Sequence, residues 1–208
     1  KLGVDAVVGL PKNGKMLEIL SNYSDDKYTN VGSLKETDFE AVESLNPDLI
    51  IIGGRQAEDI DSFKEIAPTV NLAVDGQDYM NSFKTVVTDL GNLFDKQDEA
   101  KKAIDEIEAK IAKVNKTVTE KGLTASVVMA NEGSISTFSA KSRYGLIYNG
   151  LGFTEADKNI DDSTHGQQVS FEYFLENKSD YVFVVDRGAV TGKGEAASKL
   201  FDNEVMNK

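Results

Sequence analysis

The 208 residues are 40% hydrophobic and 28% charged, with a formal net charge of −12; this is a soluble globular composition whose acidity argues against nucleic acid or an anionic membrane surface as the main partner. There is no cysteine and a single histidine, His165, which excludes disulfides, thiolate metal sites and cysteine nucleophiles from this stretch and disfavours a multi-histidine metal site. No apolar run of about 18 residues exists, so neither a membrane span nor a signal peptide is read here, as in a mature or trimmed chain.

Short runs rich in Val and Ile and bounded by turn residues recur along the chain and predict strands. Val4 to Leu10 is the first, and Asp48 to Gly54, Thr69 to Val74, Thr124 to Asn131 and Asp180 to Gly188 follow. Helical patterns lie between them: Asp38 to Leu45 stopped by Asn46-Pro47, Asp59 to Ile66 stopped by Ala67-Pro68, and Ser82 to Phe94. The alternation predicts βαβ units and buried parallel sheets. From Asp98 to Lys121 the texture changes: Ala103, Ile104, Ile107, Ile111 and Val114 recur at spacings of three and four among charges, and Gly122 follows as a carboxyl cap. A helix of that length spans roughly 35 Å, enough to connect two lobes. The expected organisation is therefore an amino-terminal α/β lobe over residues 1–96, a connecting helix over 97–121 and a carboxy-terminal α/β lobe over 122–208. Val4 to Leu10 has no preceding βα unit and Phe201 to Lys208 reads as helix without a closing strand, so both lobes are expected to be incomplete.

Of 23 basic residues only Arg55, Arg143 and Arg187 are arginine. Arg55 follows DLIIIGG and Arg187 follows DYVFVVD, each just past the carboxyl end of a predicted strand, the edge where open α/β sheets bind ligands. Arg143 precedes a predicted helix with Ser142 as amino-cap and Asn149-Gly150 as stop. A cation there opposes the helix dipole, and an anion held by Arg143 would also meet the free N–H groups of the first turn. Each arginine taken singly is explained by an ion pair with one of 35 acidic residues. Together they place planar, bidentate donors where a polyanionic planar ligand would meet them. The net charge of −12 does not forbid this, because charges beyond about 8 Å are largely screened at physiological salt.

The segments SRYGLIYNGLGF, HGQQVSFEYFLENKSDYVFVVDRGA and FEAVESLNPDLIIIGGRQ resemble siderophore-binding proteins of iron-uptake ABC importers, above all the Gram-positive lipoproteins for ferric catecholates of the petrobactin type. The resemblance implies a class III periplasmic-binding-protein fold: two α/β lobes with parallel sheets, joined by one long rigid helix. It implies that Arg55 from one lobe, with Arg143 and Arg187 from the other, neutralises a ferric siderophore in the interlobe cleft. Iron(III) would then be ligated by the siderophore's own oxygens, with no intrinsic cofactor and no protein metal ligands. His165 is a ligand contact or a solvated loop residue, and Tyr144 and Tyr148 stack on catechol rings or pack the core. Glu58 and Glu195, each at the start of the helix after an arginine-bearing loop, dock on the permease or simply suit a helix amino-terminus. A lipid anchor outside this chain would hold a monomer at the extracellular face of the membrane. A full-length member would add a signal peptide, a lipid-bearing cysteine and further βα units at both ends.

Haem, cobalamin or a ferric hydroxamate is the alternative cargo, although a neutral hydroxamate would call for more aromatic lining and the chain has no Trp. A phosphate-dependent enzyme on the same scaffold needs an acid-base or nucleophilic constellation. The carboxylates are scattered, and VTGKGEAASK lacks phosphate-loop spacing.

Overall fold

The computed structural model describes residues 2–14, 16–161, 163–191 and 196–202. The chain divides into two units, Lys1–Val74 with Asp89–Lys96, and Asp75–Thr88 with Gln97–Lys208.

In the first unit β1 (Gly9–Leu10) pairs in parallel with β2 (Thr29–Asn30). The strand expected over Val4 to Leu10 is thus reduced to its last two residues. Its partner offers only two residues to pair with, and Val7 and Val8 are left exposed. α1 (Phe39–Ser44) begins where the Asp38 carboxylate accepts the Ala41 N–H at 2.9 Å, and the chain turns at Asn46 with φ 45°. β3 (Ile50–Ile52) and β4 (Thr69–Asn71) are parallel, joined through a 3-10 stretch (Gly54–Asp59) and α2 (Ile60–Ile66). Successive strand side chains point to opposite faces. Ile50 and Ile52 therefore enter a core with Val42, Phe63 and Ala67, while Ile51 is 46% exposed on the other face.

α3 (Tyr79–Leu93) runs across the boundary, with residues 79–88 in the second unit and 89–93 in the first. α4 (Gln97–Lys121) ends at Gly122, whose φ of 62° lets the Leu123 N–H donate to the Val118 carbonyl at 3.1 Å. β5 (Thr124–Asn131) follows, and Ala125, Ser126, Val127, Val128 and Ala130 are all 3% exposed or less. Such burial on both faces marks a central strand. β5 turns into β6 (Ser134–Phe138) through Glu132 and Gly133, both at positive φ (51° and 81°), a two-residue hairpin. β7 (Thr154–Glu155), β8 (Gln167–Val169), α5 (Tyr173–Glu176), β9 (Tyr181–Asp186), α6 (Arg187–Thr191) and α7 (Ala197–Leu200) complete the described elements.

β7 and β9 run parallel to β5 on opposite edges, whereas β6 is antiparallel to β5 and to β8. The expected parallel sheet is therefore mixed here, because the hairpin inserts one strand, β6, that runs against the others. Register between β5 and β9 is pinned at the start by Asp180, whose Oδ2 accepts the Thr124 N–H and Oγ1–H, both at 2.8 Å, while its own N–H donates to Thr124 Oγ1 at 3.0 Å. These bonds hold the Asp180 carboxyl below its ordinary range.

Candidate ligand-binding site

Phe138, at the end of β6 and 1% exposed, is the floor of the Arg143 neighbourhood. The Tyr144 ring meets it edge-on at 4.8 Å, and the Arg143 guanidinium carbon lies 5.6 Å from the Phe138 centroid and 5.5 Å from that of Tyr144. Both are cation–π distances, so the two rings help hold the cation in place. Arg143 Nη2 also donates to the Thr164 carbonyl oxygen at 2.8 Å. That bond ties Arg143 to the loop carrying His165, so these two expected site residues are brought together. The remaining side-chain N–H groups of Arg143 have no partner among the described residues, and the residue is exposed.

Serine side chains shape the turn that presents Arg143. Ser142 Oγ donates to the Ser139 carbonyl at 2.7 Å and accepts the Tyr144 N–H at 3.2 Å, and Ser139 Oγ accepts the Lys141 N–H at 3.2 Å. Ser142 thus caps this turn and not a helix. The helix itself is one wide turn, Leu146–Gly150, closed by the Leu151 N–H donating to the Leu146 carbonyl at 2.9 Å. Arg143 sits three residues before it, so the expected first-turn N–H groups for an anion are not beside Arg143. A polar turn that satisfies its own backbone through serines displaced the helix start.

Tyr148 belongs to the core. Its hydroxyl donates to the Phe138 carbonyl and accepts the Val127 N–H, each at 3.1 Å, and burial pushes its pKa up to about 12. Tyr144 is half-buried, held between Phe138 and Arg143. His165 is exposed in a turn where Ser163 Oγ accepts its N–H at 3.2 Å and donates to the Gly166 carbonyl at 3.0 Å.

Arg187 is exposed and is the first residue of α6, directly past β9 as read from the sequence. Asp186 beside it accepts the Ala189 N–H through Oδ1 and the Ala197 N–H through Oδ2, both at 2.8 Å. One carboxylate so ties the starts of α6 and α7 to the end of β9. In the first unit Arg55 is exposed on the 3-10 stretch after β3, and its guanidinium forms no hydrogen bond or ion pair with a described residue. The neighbouring Gln56 donates from Nε2 to the Leu34 carbonyl at 2.9 Å. Glu58 is exposed in the same stretch, two residues before α2 and not at its start as expected. Glu195 lies outside the described residues. Among the described residues no group of three or more His, Cys, Asp or Glu is placed to hold a metal ion, and no helix is long and apolar enough to cross a membrane.

Phe138, Tyr144 as the second ring under Arg143, and Thr164 complete this neighbourhood. Phe138 was missed because the Ser- and Thr-rich SISTF did not read as a strand. The signal available was a turn glycine, Gly133, directly after a strong apolar run.

A family model described as periplasmic binding protein matches residues 3–208. The chain belongs to the periplasmic binding protein family. It is 47% identical over 207 residues to the petrobactin-binding protein YclQ of Bacillus subtilis, covering 99% of this chain and 65% of YclQ. The crystal structure of YclQ superposes with a TM-score of 0.92 at 46% identity, covering all of this chain and 73% of that one. The ferric-anguibactin-binding protein FatB of Vibrio anguillarum is 32% identical over 193 residues, 88% of this chain and 60% of FatB. The crystal structure of the periplasmic catecholate-siderophore binding protein VctP of Vibrio cholerae gives a TM-score of 0.89 at 31% identity, covering 96% of this chain and 72% of that one. The chain thus spans less than two thirds of the length of YclQ and FatB. With these relatives it shares the class III, helical-backbone fold expected from the sequence.

Proposed function

We propose that this periplasmic binding protein captures a ferric catecholate-type siderophore of the petrobactin kind and presents it to an ABC permease for iron uptake. Arg55, Arg143, Arg187 and His165 are the ligand-contact residues. Glu58 and Glu195 are the permease-docking residues. Iron(III) enters as cargo inside the ligand, and the parent protein works at the extracellular face of the membrane under a lipid anchor.

The observation that carries this reading is Arg143. Its cation is fixed by two rings and one carbonyl, yet it is exposed with N–H groups to spare. A guanidinium oriented in advance loses little freedom on meeting planar oxygen acceptors, so its charge-assisted bonds are spent on the ligand. The names of the relatives support a binding protein over an enzyme, and petrobactin as cargo is supported by the name of YclQ, the relative at 47% identity.

The test is a titration followed through the seven tyrosines, since the chain has no Trp. Ferric petrobactin should quench saturably, and iron-free petrobactin and a neutral ferric hydroxamate only weakly. Equal quenching by the hydroxamate would move the proposal to another cargo, and no response to any of them would remove it for this chain.

A further inference from the structure

We propose that Gly76 is a positioning residue for Arg143: the loop between β4 and α3 seats directly on the Arg143 backbone and sets where the guanidinium stands. A β-carbon at Gly76 would meet the Arg143 Cα and Cβ at 3.0 Å each and the Arg143 N at 3.9 Å. The three nearest atoms all belong to that one residue. Gly76 is not among the glycines at positive φ, so its backbone conformation accepts an L side chain. The steric meeting with Arg143 is then what a substitution changes.

Neither side of this contact yields easily. On the loop side, the Asp75 N–H donates to Ser82 Oγ at 3.0 Å, the Gln77 N–H donates to Asp75 Oδ1 at 2.8 Å, and Ser82 Oγ–H donates to the Asp78 carbonyl at 2.8 Å. On the arginine side, the Ser139 and Ser142 bonds hold the turn, and the Gly145 N–H donates to the Ser142 carbonyl at 2.9 Å. Below the guanidinium, Phe138 is itself hemmed in, because a β-carbon at Gly166 would come within 2.7 Å of its Cζ. A methyl group at residue 76 must therefore be accommodated by displacing Arg143 by a few tenths of an ångström at its Cβ. The shift reaches the guanidinium at the end of a long side chain, where the ring distances and the bond to Thr164 have little slack.

The consequence for ligand binding rests on the function proposed above, but the displacement does not. The chain has three arginines, so its side-chain Nε–Hε NMR region holds at most three signals. The Arg143 signal is identified by its loss in Arg143→Lys and carries the ring-current shift of Phe138 and Tyr144. In Gly76→Ala we expect that signal to move while those of Arg55 and Arg187 stay, and to move further in Gly76→Val, with the far-UV spectrum unchanged. Ferric petrobactin affinity should fall about three- to tenfold in Gly76→Ala, with no further loss when the same change is made in Arg143→Ala. An unmoved Arg143 signal in folded Gly76→Val overturns the inference whether or not ligand binds. An equal loss of affinity in the Arg143→Ala background overturns it as well, because the loop would then act without Arg143. Failure of the unsubstituted chain to bind overturns the functional reading alone.

Discussion

Arg55 and Arg143 are the same residue type, each exposed and each placed by a short turn, yet they are held in different ways. Arg143 lies over two rings and donates to a backbone carbonyl, whereas Arg55 stands on a 3-10 stretch without a side-chain partner among the described residues. A fixed guanidinium contributes geometry as well as charge. An unfixed one contributes chiefly charge and loses rotamer freedom when a ligand orders it. If this difference is functional, the two positions will answer the same substitutions differently.

The harshest way to break the comparison is to remove the floor of the Arg143 site. Phe138→Ala, at a side chain 1% exposed, should cost about 3–5 kcal/mol of stability, read as a lowered denaturant midpoint. Phe138→Leu keeps most of the core but removes the ring, and should weaken ferric petrobactin binding with a much smaller stability loss.

Arg143→Ala should weaken ferric petrobactin by about 1.5–3 kcal/mol, the worth of a charge-assisted contact. Arg55→Ala should cost less, because ordering that side chain already offsets part of its gain.

Tyr148→Phe tests the packing behind the site. It leaves the buried Val127 N–H without its acceptor, a loss of about 1–3 kcal/mol in stability with little change in affinity. Because the folded-state pKa of Tyr148 is raised to about 12, its contribution is complete below the unfolded value near 10 and fades as pH rises through 12. A chain carrying Phe there should show a shallower alkaline loss of stability.

Asp180→Asn should have the smallest effect, a slight drop in Tm. The Asp180 pKa is lowered by its bonds from Thr124, so what its charge contributes is present above the ordinary carboxyl value and disappears as pH falls through the folded-state value. The charge-dependent part of the gap between the two chains should therefore close in acid and persist at neutral pH.

Much of this was legible in the sequence where period and punctuation agreed. Thr124 to Asn131 reads as a strand and is β5, and the amphipathic stretch Asp98 to Lys121 is α4 to within one residue, because its helical period and Gly122 point to the same element. Val4 to Leu10 failed because apolar content does not supply a partner strand. The Arg143 helix was misplaced because Ser142, a good helix cap, can equally well cap a turn of its own. The neighbourhood of Arg143 was the least legible part. Phe138, Thr164 and Gly76 are 5, 21 and 67 residues from Arg143 in sequence, and only the hairpin and the loop contacts bring them to it.

The most direct test of the account is the affinity of ferric petrobactin for Arg143→Lys beside that for Arg55→Lys, measured at one salt concentration. The account predicts that lysine nearly restores binding at residue 55 and leaves most of the loss at residue 143, where the guanidinium lies over two rings and is bonded to a carbonyl. Equal tolerance of lysine at both positions would contradict it, because the fixed guanidinium would then contribute no more than its charge.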